Sequence, residues 1–120
     1  MINIDSTIFH AYDVRGVYPK EIKEETAYRI GLAFARYLKR DQKKEPPFFV
    51  VVGMDMRGSS PFLAREVVRG LNDESVNVVD VGKVSTPAFY YAVAFKGYAG
   101  GVMVTASHNP KQYNGFKFCA

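Results

Sequence analysis

Phe48-Phe49-Val50-Val51-Val52-Gly53 is an apolar run without polar alternation. A strand with one face in water alternates apolar and polar residues, so an unbroken run marks a strand covered on both faces, as in layered α/β folds. The flanking segments agree. Upstream, beyond the linker Lys43-Lys44-Glu45-Pro46-Pro47, the residues Ala27, Ile30, Phe34, Tyr37 and Leu38 recur at helical spacing, with Glu24 and Glu25 at the start and Lys39 and Arg40 at the end. That charge order complements a helix dipole. Downstream, Ser60-Pro61 reads as an N-cap and first helical position, leading into an inner stripe of Leu63, Ala64, Val67, Val68 and Leu71 that Asn72 and Asp73 end. Val76 to Val81 is the next strand, Thr86-Pro87 repeats the cap signature before a helix from Ala88 to Lys96, and Gly97 stops it. Strands from Gly101 to Thr105 and from Tyr113 to Phe118 follow. The alternation predicts an α/β domain of helix, sheet and helix layers with a mixed, largely parallel sheet.

A chain of 120 residues, 48% hydrophobic, suits one core and one domain. Its formal charge of +4 points to an anionic partner, yet the basic residues are dispersed. The one cluster, Lys39-Arg40-Asp41-Gln42-Lys43-Lys44, is read as a solvated helix end, and it lacks the interleaved aromatics of a nucleic-acid platform. Neither nucleic acid nor membrane is expected as a partner: the N-terminus has no charged leader before an apolar stretch, and no apolar run is long enough to span a bilayer. The single cysteine, Cys119, belongs to no disulfide pair or metal-ligand spacing, which fits a reducing, cytoplasmic setting. Gly97-Tyr98-Ala99-Gly100-Gly101 carries neither the P-loop nor the dinucleotide fingerprint.

The chemistry concentrates between Val102 and Phe118, VMVTASHNPKQYNGFKF. Apolar strand residues give way at Ser107-His108-Asn109-Pro110 to turn formers, which places the Ser107 hydroxyl at a strand end facing a loop. Close by in sequence are an imidazole (His108), a carboxamide (Asn109), two ammonium groups (Lys111 and Lys117) and Gly115. Such a cationic, donor-rich setting suits a phosphate. The same tetrapeptide read alone is an ordinary solvent-facing turn. A serine hydrolase is disfavoured, since no G-x-S-x-G elbow is present and His108 lies too close in sequence to serve as the base of a triad.

TASHNP followed by NGFK resembles the phosphoserine loop of the α-D-phosphohexomutases, the family of phosphomannomutases, phosphoglucomutases and phosphoglucosamine mutases. Three further segments stand in the family's order: Phe9-His10-Ala11-Tyr12-Asp13-Val14-Arg15-Gly16, Gly53-Met54-Asp55-Met56-Arg57-Gly58-Ser59-Ser60, and Gly82-Lys83-Val84-Ser85-Thr86-Pro87. His10 stands where many relatives carry Arg. The resemblance covers essentially the whole chain and implies the first of four domains, cut short at its C-terminal end, with apolar surface and an unpaired edge left at Tyr113 to Phe118 and self-association as the expected result.

The resemblance also implies roles. Ser107 is the residue phosphorylated in the resting enzyme, giving its phosphoryl group to a hexose monophosphate and recovering one from the sugar bisphosphate intermediate. Lys117 assists proton transfer, Arg15 binds phosphate oxygens, and His108 supports the nucleophile. Tyr12, Arg15, Ser107, Asn109 and Lys117 line the substrate pocket. Mg2+ is held partly through the phosphate on Ser107, its other ligands coming from a domain outside this stretch, as does sugar recognition. Asp55 and Arg57 are expected to form an ion pair bracing the loop. The alternative is a noncatalytic anion-binding or interaction module built on the same domain.

Overall fold

A computed structural model describes residues 9–10, 13–40 and 46–119, with backbone only at 9, 10 and 13. Its elements are β1 (Phe9–His10), β2 (Asp13–Val17), α1 (Glu24–Arg40), β3 (Phe49–Met54), α2 (Ser60–Asp73), β4 (Asn77–Lys83), α3 (Thr86–Phe95), β5 (Gly100–Val104) and β6 (Tyr113–Cys119). The strands make one sheet in the order β1-β2-β6-β5-β3-β4. Pleating sends alternate residues to opposite faces. Val50 and Val52 of β3, Val102 and Val104 of β5 and Phe116 of β6 therefore join the apolar stripes of α1 and α2 in the larger core. Val51 and Met103 meet Phe89 of α3 on the other face. This is why the β3 run shows no alternation.

The helix stripes follow the spacing that predicted them: Ala27, Ile30, Phe34 and Leu38 of α1 and Leu63, Ala64, Val67 and Leu71 of α2 are buried. The two helices approach closely because glycines face each other. A Cβ on Gly31 would lie 2.4 Å from the Val67 carbonyl oxygen, and one on Gly70 would lie 2.3 Å from that of Tyr28. Both caps sit one residue earlier than expected. Ser59, not Ser60, occupies the N-cap position of α2, and Ser85, not Thr86, caps α3 by accepting from the Ala88 N–H at 3.2 Å. In Ser-Ser-Pro and Ser-Thr-Pro either hydroxyl residue can cap, because first-turn N–H groups have no intrahelical acceptor and proline is accommodated at either position. Gly97 ends α3 region as anticipated, with φ +63°.

The sheet is mixed, but parallel pairing is confined to β3 with β4 and β3 with β5 rather than extending through most of it. β5 with β6, β6 with β2, and β2 with β1 are antiparallel. The connection from β5 to β6 explains the change: residues 105–112 are too few for a crossover, so the chain turns back as a hairpin. The same pairing corrects the expected open edge at Tyr113 to Phe118, because β6 lies inside the sheet between β5 and β2. Among the described residues the most exposed apolar side chains lie elsewhere, Met56 at 77% in the loop after β3 and Tyr91 and Phe95 of α3 at 69% and 60%.

This topology positions the site. Parallel β3 and β5 end side by side, Met54 opposite Val104, so the loops beginning at Asp55 and Thr105 leave the sheet together at its carboxyl end. In open α/β sheets that end is where ligands bind. The Asp55 N–H donates to the Val104 carbonyl at 3.0 Å and ties the two loops at their root.

Candidate active site

Ser107 lies three residues beyond the end of β5 with φ 55°, a left-handed conformation uncommon for a residue with a Cβ. Its surroundings enforce it. The Ser107 N–H donates to Thr105 Oγ1 at 3.0 Å, and the Asn109 N–H to the Ala106 carbonyl at 3.1 Å. Behind the loop lies Arg57. Its Nη2 donates to the Ser107 and Asn109 carbonyls at 2.7 and 3.0 Å, and its Nη1 to those of Pro110 and Tyr113 at 2.8 and 3.2 Å. Nε donates to Asp55 Oδ2 at 3.0 Å. A guanidinium has five N–H groups in a planar fork, and here each has an acceptor.

Asp55 anchors that fork. Its carboxylate also accepts from the Ser60 hydroxyl at 2.6 Å, the Thr105 hydroxyl at 2.7 Å and the Arg57 N–H at 3.1 Å. Burial pushes its pKa upward, but the bonds from Ser60, Thr105 and Arg57 outweigh burial and hold the carboxyl below its ordinary value. The expected brace between Asp55 and Arg57 is thus present, and it extends across the fold to the serine loop. On the other side, the wholly buried Asn114 donates to Ser59 and Ser60 Oγ at 2.7 and 3.0 Å, while its Oδ1 accepts from the Gly115 N–H at 2.8 Å.

In front of the loop is a cleft of about 550 Å³ lined by Arg15, Ser107, His108, Asn109, Pro110 and Lys117. Arg15 of β2 pairs with Gly115 and Asp13 pairs with Lys117 of β6, so Arg15 and Lys117 stand two pleats apart on one face. Gly115 is needed for this approach: a Cβ there would lie 2.1 Å from the Val14 carbonyl oxygen. Arg15 Nη1 donates to Asn109 Oδ1 at 2.9 Å, aiming its fork across the cleft mouth.

Five residues proposed for chemistry or binding, Arg15, Ser107, His108, Asn109 and Lys117, therefore converge. Lys111 is exposed and outside the lining, and Tyr12 lies outside the described residues, as does the His10 side chain. Thr105, Ser60 and Asn114 were missed. A polar side chain closing an apolar strand, as Thr105 does, is the signal that marks the first. Cys119 is no candidate nucleophile, since burial raises its thiol pKa and the Gly101 N–H only partly offsets this. Among the described residues, no group of three or more His, Cys, Asp or Glu is placed to hold a metal.

Two basic side chains and a serine hydroxyl, with no carboxylate among the described lining residues, make this lining complementary to an anion. Among the described residues no carboxylate lines the cleft beside His108, as a Ser-His-Asp relay would need.

Residues 6–120 match the family described as "Phosphoglucomutase/phosphomannomutase, alpha/beta/alpha domain I". The chain is 47% identical over 115 residues to a phosphomannomutase/phosphoglucomutase of Pseudomonas putida, with 95% of this chain and 24% of that protein covered. It is 43% identical over 111 residues to a phosphomannomutase of Vibrio cholerae, covering 92% and 24% respectively. A crystal structure of a phosphoglucomutase/phosphomannomutase family protein from Burkholderia thailandensis superposes with a TM-score of 0.84 at 40% identity, over 97% of this chain and 26% of that one. The chain thus spans about a quarter of the length of these relatives.

Proposed function

The chain belongs to the phosphoglucomutase/phosphomannomutase family as its first, α/β/α domain, and from that premise we propose that it supplies the phosphoserine half of an active site interconverting hexose 1-phosphates and hexose 6-phosphates in the cytoplasm. The observation that carries this reading is the meeting of the Ser107 hydroxyl with Arg15 and Lys117 in one cleft. Ser107 Oγ carries the phosphoryl group and passes it to a sugar hydroxyl; reversal of the transfer at the sugar's other phosphate regenerates phosphoserine. Lys117 neutralises charge on the transferring group and assists proton movement at the oxygen that gains or loses it. The Arg15 fork, steadied by Asn109, holds phosphate oxygens. His108 lines the mouth, and Tyr12 is assigned to the same pocket by family resemblance.

A hard divalent cation prefers oxygen ligands, preferably carboxylates. The described lining residues offer no carboxylate, whereas a phosphate on Ser107 would add anionic oxygens, so Mg2+ fits the phosphorylated residue together with carboxylates from beyond these residues. When bound, the cation would neutralise phosphoryl charge. A sugar bisphosphate is the matching activator.

A chimera tests this reading, with residues 6–120 replacing the corresponding region of the Pseudomonas putida relative. It is expected to interconvert mannose 1- and 6-phosphates and to lose turnover on Ser107→Ala, while the 120-residue chain alone turns over neither mannose nor glucose phosphates. Near-normal turnover by the Ser107→Ala chimera would remove Ser107 from the role.

A further inference from the structure

We propose that Arg57 is a positioning residue that turns the peptide N–H of His108 into the cleft as a donor to the bound anion. The inference rests on the anion-binding reading above and names a backbone group that no side-chain motif identifies.

A peptide unit is planar and trans, so its C=O and N–H point in opposite directions. The carbonyl of the unit joining Ser107 and His108 is that of Ser107, and it accepts from Arg57 Nη2 at 2.7 Å. Arg57 is not among the cleft-lining residues, whereas Ser107 and His108 are. With the carbonyl drawn back toward the guanidinium, the His108 N–H points forward. The other amides of the turn are committed or absent: Ser107 N–H to Thr105 Oγ1, Asn109 N–H to the Ala106 carbonyl, and Pro110 without one. Among the described residues no acceptor takes the His108 N–H.

The left-handed φ of Ser107 belongs to the same device. A left-handed residue within a turn creates a concavity of backbone N–H groups that favours anions. Arg57 also removes an electrostatic penalty. Four carbonyl oxygens that would repel a phosphate face its guanidinium instead, at 2.7 to 3.2 Å. Asp55 in turn holds the fork from behind through Nε. A lysine at position 57 has a single ammonium with three donors and no planar fork, and cannot hold all four carbonyls and the carboxylate.

The test is a titration of the 120-residue chain with inorganic phosphate, followed by amide proton–nitrogen NMR. The His108 amide is expected to shift downfield saturably in step with the Arg15 and Lys117 side-chain signals. In Arg57→Lys that shift is expected to vanish and the apparent phosphate dissociation constant to rise by about tenfold, the worth of one charge-assisted hydrogen bond, with α1 resonances unchanged. If the wild-type side chains respond and the His108 amide does not, the inference fails while the anion-binding cleft stands. If no cleft signal responds, both fail together. These wild-type outcomes decide the matter even if Arg57→Lys does not fold. Retention of the full His108 shift in a folded Arg57→Lys chain would equally overturn the role given to Arg57.

Discussion

Gly115→Ala is expected to separate β2 from β6 and remove Arg15 from the cleft. The added Cβ would lie 2.1 Å from the Val14 carbonyl oxygen and 2.8 Å from Arg15 Cα. Both are backbone atoms, so no rotamer change relieves the contact; the strands must part by more than an ångström along a ladder running from Asp13–Lys117 to Val17–Tyr113. Overpacking of this kind costs about 1–3 kcal/mol, and backbone against backbone belongs at the upper end. At about 4–8 °C per kcal/mol for a domain near this size, a loss of about 2–3 kcal/mol lowers the melting temperature by about 10–20 °C. Gly58→Ala is the matched control, because a Cβ there meets nothing within 4 Å. Circular dichroism melts and amide exchange report the two levels: Gly115→Ala should melt early and lose protection through β2, while Gly58→Ala matches the wild type. A Gly115→Ala chain that melts with the control and keeps slow exchange at Gly16 and Tyr18, whose N–H groups face β6, would refute the reasoning.

Three other outcomes follow from the network. The Asp55 carboxyl has its folded pKa lowered below the ordinary 3.8, so its contribution to stability is complete above that value and is lost as pH falls through the lower folded value; an acid titration of stability should show a step there that Asp55→Asn lacks. Asn114→Ala strands the buried Gly115 N–H and removes the donor to the Ser59 and Ser60 hydroxyls, and should destabilise the chain by about 2–3 kcal/mol in urea unfolding. Lys117→Met should leave the melt near wild type, since the side chain is only half-buried at the cleft, while weakening phosphate binding; an unchanged affinity would take Lys117 out of the site.

The layers were legible because burial on both faces of β3 and the stripes of α1 and α2 follow from local periodicity. β2 was not. Asp13-Val14-Arg15-Gly16-Val17 interrupts its apolar residues with two charges and a glycine, and it is a strand because β6 pairs with it from a distance of about a hundred residues, Arg15 opposite Gly115. The extent of parallel pairing was over-read for a related reason: alternating strands and helices imply crossovers, and the short β5–β6 hairpin is the exception. At the site, residue types near Ser107 picked out the side of the loop that lines the cleft, and Asp55 with Arg57 was recognisable as a brace. That the brace grips carbonyls 50 to 56 residues away depends on β3 and β5 lying side by side, which tertiary pairing alone decides.

The central claim is that Ser107 carries the phosphoryl group. Its most direct measurement is fragment mass spectrometry of the Pseudomonas putida chimera after incubation with glucose 1,6-bisphosphate and Mg2+. The account predicts one phosphate per chain, located on Ser107, that is discharged on adding mannose 1-phosphate and is absent from Ser107→Ala. A phosphate located elsewhere, or a Ser107 phosphate that sugar phosphate never discharges, would contradict it.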